Sequence, residues 1–282
     1  MNRRKFFFRS IAASTIAGAG YAHWVEPRWP QLVRRDLVIN HLPAELDGAT
    51  AIHISDTHIG HRVSENYLRR QFEWIESLKG EFVLFTGDFL DNNSPEHLEI
   101  AKRLLPAFPR GQRGNAVVLG NHDYGNGYWK HNRITQSLVA MLDDQGLNPL
   151  INRYVDLDGF RVVGLPDLWH GSFRAPAVRE LLAETKATPS ITLSHNPDSV
   201  DRPVWDDYDS WVLCGHTHGG QCRFPLVGAP FLPVRNRRYV AGAYEIDGGH
   251  HLYINRGLGH TMQVRFASRP EVTMFQLRPA LG

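Results

Sequence analysis

Short, almost unbroken apolar runs alternate with amphipathic stretches along most of this chain. Residues 36–41, 49–55, 81–86 and 115–119 are rich in aliphatic and β-branched side chains and predict strands. Between them, Tyr67, Leu68, Phe72, Ile75 and Leu78 recur at helical spacing, which predicts a helix over 64–78 capped by Ser64. A second helix is predicted over 95–105, with Ser94 as N-cap and Pro95 in its first turn, and a third over 131–145, ended by Gly146. Asp158-Gly159 joins two short strands, 153–157 and 160–164, as a hairpin. A helix near 175–185 precedes strands at 190–194 and 210–214, and strands recur at 239–246, 251–255 and 271–277 after a Pro/Gly-rich loop at 224–236.

Runs such as Val83-Leu84-Phe85 belong in a sheet buried on both faces. Strands and helices alternate in the first half, and strands follow one another in the second. That order implies an α/β fold in which helices cover a mixed sheet or a pair of sheets. No internal repeat or low-complexity tract interrupts it.

The composition, 42% hydrophobic and 21% charged over 282 residues, is that of a globular body. The net charge of +2 is unevenly spread: residues 1–35 carry +6 and the remainder −4. A body of that sign has no general pull towards nucleic acid, whereas the basic leader suits an anionic membrane surface. Asn2-Arg3-Arg4-Lys5-Phe6-Phe7 resembles a twin-arginine export signal, and the weakly apolar run Ser10–Ala22, 13 residues long, is too short to span a bilayer. Ala17-Gly18-Ala19 and Gly20-Tyr21-Ala22 offer small residues for cleavage. The expected division is a leader over 1–30 and one domain over 31–282. Cys214 and Cys222 are expected as free or buried thiols.

Five motifs each sit directly after an apolar strand: Asp56-Thr57-His58, Gly87-Asp88, Gly120-Asn121-His122-Asp123, Ser194-His195-Asn196 and Gly215-His216-Thr217-His218. Ligands of open α/β sheets bind beyond the carboxyl ends of the strands. In extended chain, residues i and i+2 point the same way, so Asp56 with His58, and His216 with His218, each aim two donors at one centre. Glycines 87, 120 and 215 let the backbone turn and approach closely. Asp oxygen, His nitrogen and Asn oxygen suit Mn, Fe, Co or Zn. Two carboxylates, Asp56 and Asp88, facing two dications leave a positive surplus that attracts phosphate. Any one motif is commonplace; five in this order after five strands are not.

The order DxH, GD, GNHD, H, GHTH resembles the calcineurin-like metallophosphoesterase superfamily, and within it the bacterial YaeI-like phosphodiesterases. The likeness extends to Glu26-Pro27-x-Trp29, Asp167-Leu168-Trp169, His195-Asn196-Pro197-Asp198-Ser199, Pro225-Leu226-Val227-Gly228 and Arg238-Tyr239-Val240-Ala241-Gly242. It implies a four-layer α/β/β/α sandwich with two mixed sheets. It implies one metal on Asp56, His58, Asp88 and His218, and another on Asp88, Asn121, His195 and His216, with Asp88 bridging. His122 would then be the catalytic acid beside the phosphate, oriented by Asp123. The implied reaction is in-line attack on phosphorus by a hydroxide formed between two divalent ions, Mn²⁺ being the expected metal.

Other residues carry weaker signals. Phe224, Leu226, Val227, Phe231, Leu232 and Val234 read first as packing over the core, with a lip for a lipid chain or a membrane as the alternative. Arg235, Arg238 and Arg256 are candidate substrate-binding residues, and Trp169 and His170 candidate pocket walls. His53 reads as a core histidine. The expected partner is a small or lipid-linked phosphodiester or pyrophosphate, with no nucleic acid and with peripheral contact at the inner membrane. Export to the periplasm by the twin-arginine route is the expected location. The alternative, a UDP-2,3-diacylglucosamine-type diphosphatase, requires the cytoplasmic face. A non-catalytic metal-dependent binding module has no use for a positioned acid at His122.

Overall fold

Successive side chains of a strand point to opposite faces, and in this molecule both faces are covered. Within Phe82–Thr86, Phe82 and Leu84 join a cluster between two sheets, while Val83 and Phe85 join one beneath helices. Ala116 and Val118 divide from Val117 and Leu119 in the same way. This double burial is why these strands read as continuous apolar runs.

The computed structural model describes residues 3–125, 132–170, 173–185, 188–206, 208–246 and 249–280, with backbone alone for 3–6, 8, 9 and 11. In chain order it forms α1 (Arg3–Gly20), β1 (Gln31–Ile39), β2 (Thr50–Ile54), α2 (Glu65–Ser77), β3 (Phe82–Thr86), α3 (Pro95–Leu104), β4 (Gly114–Val118), α4 (Asn121–Tyr124), α5 (Arg133–Asp144), β5 (Arg153–Leu157) and β6 (Phe160–Gly164). There follow α6 (Ala175–Ala183), β7 (Ser190–Leu193), β8 (Trp211–Cys214), β9 (Gly242–Glu245), β10 (His251–Ile254) and β11 (Glu271–Pro279).

One sheet has the order β1-β11-β2-β3-β4 and the other β5-β6-β7-β8-β10-β9. Both are mixed: β11 is antiparallel to β2 in the first, and β5–β6 and β10–β9 are antiparallel in the second. Leu84, Val118, Phe160, Ile191 and Phe275 fill the space between the sheets. Helices α2, α3 and α5 cover the outer face of the first sheet through Phe72, Leu104 and Leu138. Helix α6 covers that of the second through Val178 and Leu182. The molecule is the expected four-layer α/β/β/α sandwich.

Three local differences from the sequence reading have physical causes. Strand β1 begins at Gln31 rather than 36, because an edge strand with an exposed face accommodates Arg34 and Arg35 while pairing with β11 from Gln31↔Glu271 to Ile39↔Pro279. Helix α4 was not expected: the Asp123 carboxylate turns back to accept from Gly120 N at 2.9 Å and closes a helical turn on Asn121-His122. The stretch Ala22–Trp29, placed in the leader, packs on the body. Ala22 O accepts from Arg265 N at 2.9 Å, buried Glu26 accepts from Ser268 N at 2.6 Å, and the Arg269 guanidinium stacks 3.9 Å over Trp29. No helix among the described residues is long and apolar enough to cross a membrane. Asn2 of the leader motif and residue 131 of the predicted third helix lie outside the described residues. Cys214 is a buried free thiol and Cys222 a partly buried one.

Candidate metal centre

Strands β2, β3 and β4 run parallel as neighbours in one sheet, and β7 and β8 do so in the other, so five carboxyl ends meet along one edge of the sandwich. The loops leaving them are stitched together by backbone hydrogen bonds. Asp56 N donates to Gly87 O at 2.9 Å, His58 N to Asp88 O at 3.1 Å, and Gly215 N to His195 O at 3.1 Å. Asp56, His58, Asp88, His216 and His218 all have left-handed backbone, with φ of 53°, 46°, 57°, 71° and 52°. For non-glycine residues this costs roughly 1–3 kcal/mol each and persists where surrounding structure imposes it for function.

Glycine is required where loops cross. A Cβ on Gly120 would lie 2.1 Å from Asp88 Oδ1, and one on Gly215 would lie 2.3 Å from Asp56 Oδ2. Gly120→Ala is therefore expected to displace Asp88 and weaken metal retention by about 10- to 100-fold, as loss of a ligand's supporting contact does. Equilibrium dialysis against a chelator measures this.

The seven predicted ligands converge. His58 Nε2 and His218 Nε2 are 3.0 Å apart, and His218 Nε2 is 3.4 Å from Asp56 Oδ1. His216 Nδ1 is 3.1 Å from His195 Nε2, which is 3.2 Å from Asn121 Oδ1. Asp88 joins the two groups: its Oδ2 is 3.7 Å from His58 Nε2 and 3.2 Å from His195 Nε2. Three overlapping sets have metal-binding spacing: Asp56/His58/His218, His58/Asp88/His122 and Asp88/His195/His216.

Orientation comes from the surrounding shell. His195 Nδ1 donates to Thr86 O at 2.7 Å and His216 Nε2 to Pro233 O at 2.6 Å, which leaves the opposite nitrogen of each facing the centre. Burial holds His58 and His218 well below the ordinary imidazole range and pushes His216 down to about 3. For His195 burial opposes charge, but Asp88, with Asp56 and Asp167, outweighs it and raises the imidazole. Neutral imidazoles at His58, His216 and His218, buried carboxylates and strained loops turned towards one point are what a pair of hard or borderline dications needs.

Several assignments change. Asp123 does not orient His122: its carboxylate accepts from Phe89 N at 3.1 Å, Leu90 N at 2.8 Å and Gly120 N at 2.9 Å, and so clamps two loops. His122 Nδ1 instead donates to Asp91 O at 2.5 Å. Arg256 is absent from the wall of the cavity beside the centre, and Glu271 takes its Nε at 2.5 Å. Arg238 lines a different cleft with Asp201 and Tyr239, and Arg235 is absent from the cavity wall. Arg237 lines the cavity in their stead.

That cavity, about 480 Å³, is lined by Asp88, Asn121, His122, His216 and His218 and by the apolar Trp169, Phe231, Leu232 and Met262. Trp169 sets its edge against His216, with ring centroids 4.7 Å apart. His170 lines an adjoining recess with Asn121 and His122. His53 is a core histidine, bonded to Thr86 Oγ1 at 2.8 Å.

Two residues to which the sequence reading gave no role at the centre also support it. Arg265 is fully buried and donates to the carbonyls of Ser268 at 2.9 Å, Arg256 at 2.9 Å and Gly259 at 2.6 Å, with a longer contact of 3.3 Å to His218 Nδ1. Glu26 acts through Ser268, whose Oγ donates to His218 O at 2.9 Å.

A shared carboxylate ringed by imidazole, amide and carboxylate donors, at the strand ends of a two-sheet sandwich, defines a dinuclear metal-dependent phosphoesterase. The chain belongs to the calcineurin-like phosphoesterase family, whose profile matches residues 49–220. It is 32% identical over 289 residues to the phosphodiesterase YaeI of Escherichia coli, covering 98% of this chain and 99% of that one. It is 26% identical to the UDP-2,3-diacylglucosamine pyrophosphatase LpxG of Chlamydia trachomatis, covering 95% of each. Among solved structures, a dimetal phosphatase from Danio rerio superposes with a TM-score of 0.51 at 14% identity, covering 82% of this chain and 99% of that one, which shows the shared fold.

Proposed function

We propose that the chain hydrolyses phosphodiester or pyrophosphate bonds, with Mn²⁺ as the working metal. The observation that carries this is the position of Asp88 between two donor sets, each able to hold one ion. Asp56, His58, Asp88 and His218 would hold one ion, and Asp88, Asn121, His195 and His216 the other. When bound, such a pair supplies positive charge for the phosphate and lowers the pKa of an attacking water.

The chain's own groups do the rest. His122, anchored through Nδ1 to the Asp91 carbonyl, keeps Nε2 available to hand a proton to the leaving oxygen. Among the described residues the cavity presents no carboxylate other than Asp88, so a phosphate entering it meets little anionic repulsion there. Its apolar wall of Phe231, Leu232 and Met262 accepts the rest of the substrate. That wall favours a second reading of the substrate, a lipid-linked pyrophosphate such as the one named for LpxG.

The basic Arg3-Arg4 leader supports export by the twin-arginine route, a path that carries folded, metal-loaded proteins. A chromogenic phosphodiester with added Mn²⁺ tests the activity. Turnover that disappears with chelator is the expected result, and absence of turnover across Mn²⁺, Fe²⁺, Co²⁺ and Zn²⁺ would leave a binding module in its place.

A further inference from the structure

The apolar loop read from sequence as core packing is on the surface. Leu226 is 108% exposed, Phe231 80%, Val227 72%, Trp24 64% and Met262 60%. Twelve large apolar side chains are exposed among the described residues, and all except Val38 belong to the leader, its junction with the body, the lining of the metal-site cavity, or the 224–227 loop that follows the cavity residue Cys222. Such clustering differs from the scattered exposure of ordinary surfaces.

The segment 262–266 joins the 221–228 loop to the junction of the leader with the body. Gln221 Nε2 donates to Met262 O and Val264 O, the Phe224 ring stacks on Phe266, and Arg265 N donates to Ala22 O beside Trp24. Phe231 and Met262 also line the cavity that contains His216 and His218. Paired backbone bonds between Phe224 and Gly228, of 2.8 and 2.9 Å, close a tight hairpin with Leu226 at its tip. Leu226 has φ of 70°, a left-handed backbone in which a leucine is strained. A leucine so exposed adds nothing to the core.

Charge identifies what covers the region. Residues 21–30, 221–238 and 259–270 hold one carboxylate between them, Glu26, which is buried. Their exposed charged residues are Arg28, Arg223, Arg235, Arg237 and Arg238. A second copy of the same face would set arginine against arginine. An anionic surface with an apolar interior matches both features, and the basic leader enters the molecule at the same place.

We propose that the rim of the metal-site cavity docks on an anionic phospholipid bilayer, with the Phe224–Gly228 hairpin and Trp24 entering the interface. The proposal rests on the phosphoesterase reading for its purpose: docked this way, the cavity opens towards the membrane and selects phosphoesters carried in it.

The test is co-sedimentation of the full-length, metal-loaded protein with phosphatidylglycerol/phosphatidylcholine vesicles, compared with phosphatidylcholine alone. Binding to the anionic vesicles that weakens with salt is expected. The Leu226→Ser, Val227→Ser double variant, which alters neither the metal donors nor the cavity wall, should lose binding by about tenfold or more. Its hydrolysis of a small water-soluble diester without vesicles should stay within about twofold of wild type. That soluble assay reads the metal site independently, so its failure would count against the phosphoesterase reading and not against docking. Three outcomes would overturn the docking proposal: no binding of wild type to anionic vesicles, binding unaffected by the double variant, or a wild-type dimer that the double variant dissociates.

Discussion

Asp88→Ala protein is expected to lose at least about a thousandfold in kcat/KM and to retain at most one metal ion per chain. The reason is the place of this carboxylate. Its Oδ2 faces His58 Nε2 at 3.7 Å and His195 Nε2 at 3.2 Å, so among the described residues it is the anion common to both donor groups. Its Oδ1 also accepts from His122 N at 3.0 Å, which ties the shared ligand to the residue proposed as acid. Without it, two dications would face Asp56 as their sole carboxylate, and their mutual repulsion would go largely uncompensated. Asp88→Asn keeps the shape and removes the charge, so it should fail nearly as badly. Metal analysis beside initial rates makes the comparison, and thermal unfolding of both variants confirms that the fold remains.

His122→Ala should behave differently. The ring lies against His58, with centroids 4.8 Å apart, but its Nδ1 is committed to the Asp91 carbonyl and its place is on the cavity wall. The seven other donors remain, so two ions should still bind. Loss of a positioned acid typically costs about 10²- to 10⁴-fold, and here it should fall on kcat while KM changes little. The deficit should also depend on the leaving group. A nitrophenolate departs without a proton and should be affected least, while an alkyl ester, whose alkoxide needs one, should be affected most. A uniform loss across leaving groups, or a loss of metal, would assign His122 to ligation instead.

Much of the centre was legible because its residues follow their strands directly. An apolar run, then glycine, then Asp or Asn-His or His-x-His, names both the strand end and the donor it presents, as at Gly87-Asp88 and Gly215-His216. What acts across long separations was not legible. Arg256 looked aimed at the site because it follows β10, but it is absent from the cavity wall, and Glu271, at the start of β11, takes its Nε. Asp123 was read as a partner for its neighbour His122, whereas the fold brings Phe89 N and Leu90 N to its carboxylate and Asp91 O to the imidazole. Arg265 carries no local pattern, and Glu26 lies in Glu26-Pro27-x-Trp29 without a role readable from it, since both act through loops that meet only after folding. Apolar strands separated by amphipathic helices implied helices over one mixed sheet or a pair of sheets, and the four-layer form came from the resemblance of the metal motifs. The exposure of Leu226 and Phe231 did not follow, because an apolar side chain reads alike whether it packs inward or awaits a membrane.

The central claim is that two ions share Asp88. The most direct test is to remove metal from the wild-type protein with chelator, add Mn²⁺ back in steps, and follow diesterase activity against ions bound per chain. Activity absent without metal, and complete only as the second ion binds, is the predicted result. Full activity in the metal-free protein, or saturation with one ion, would contradict it.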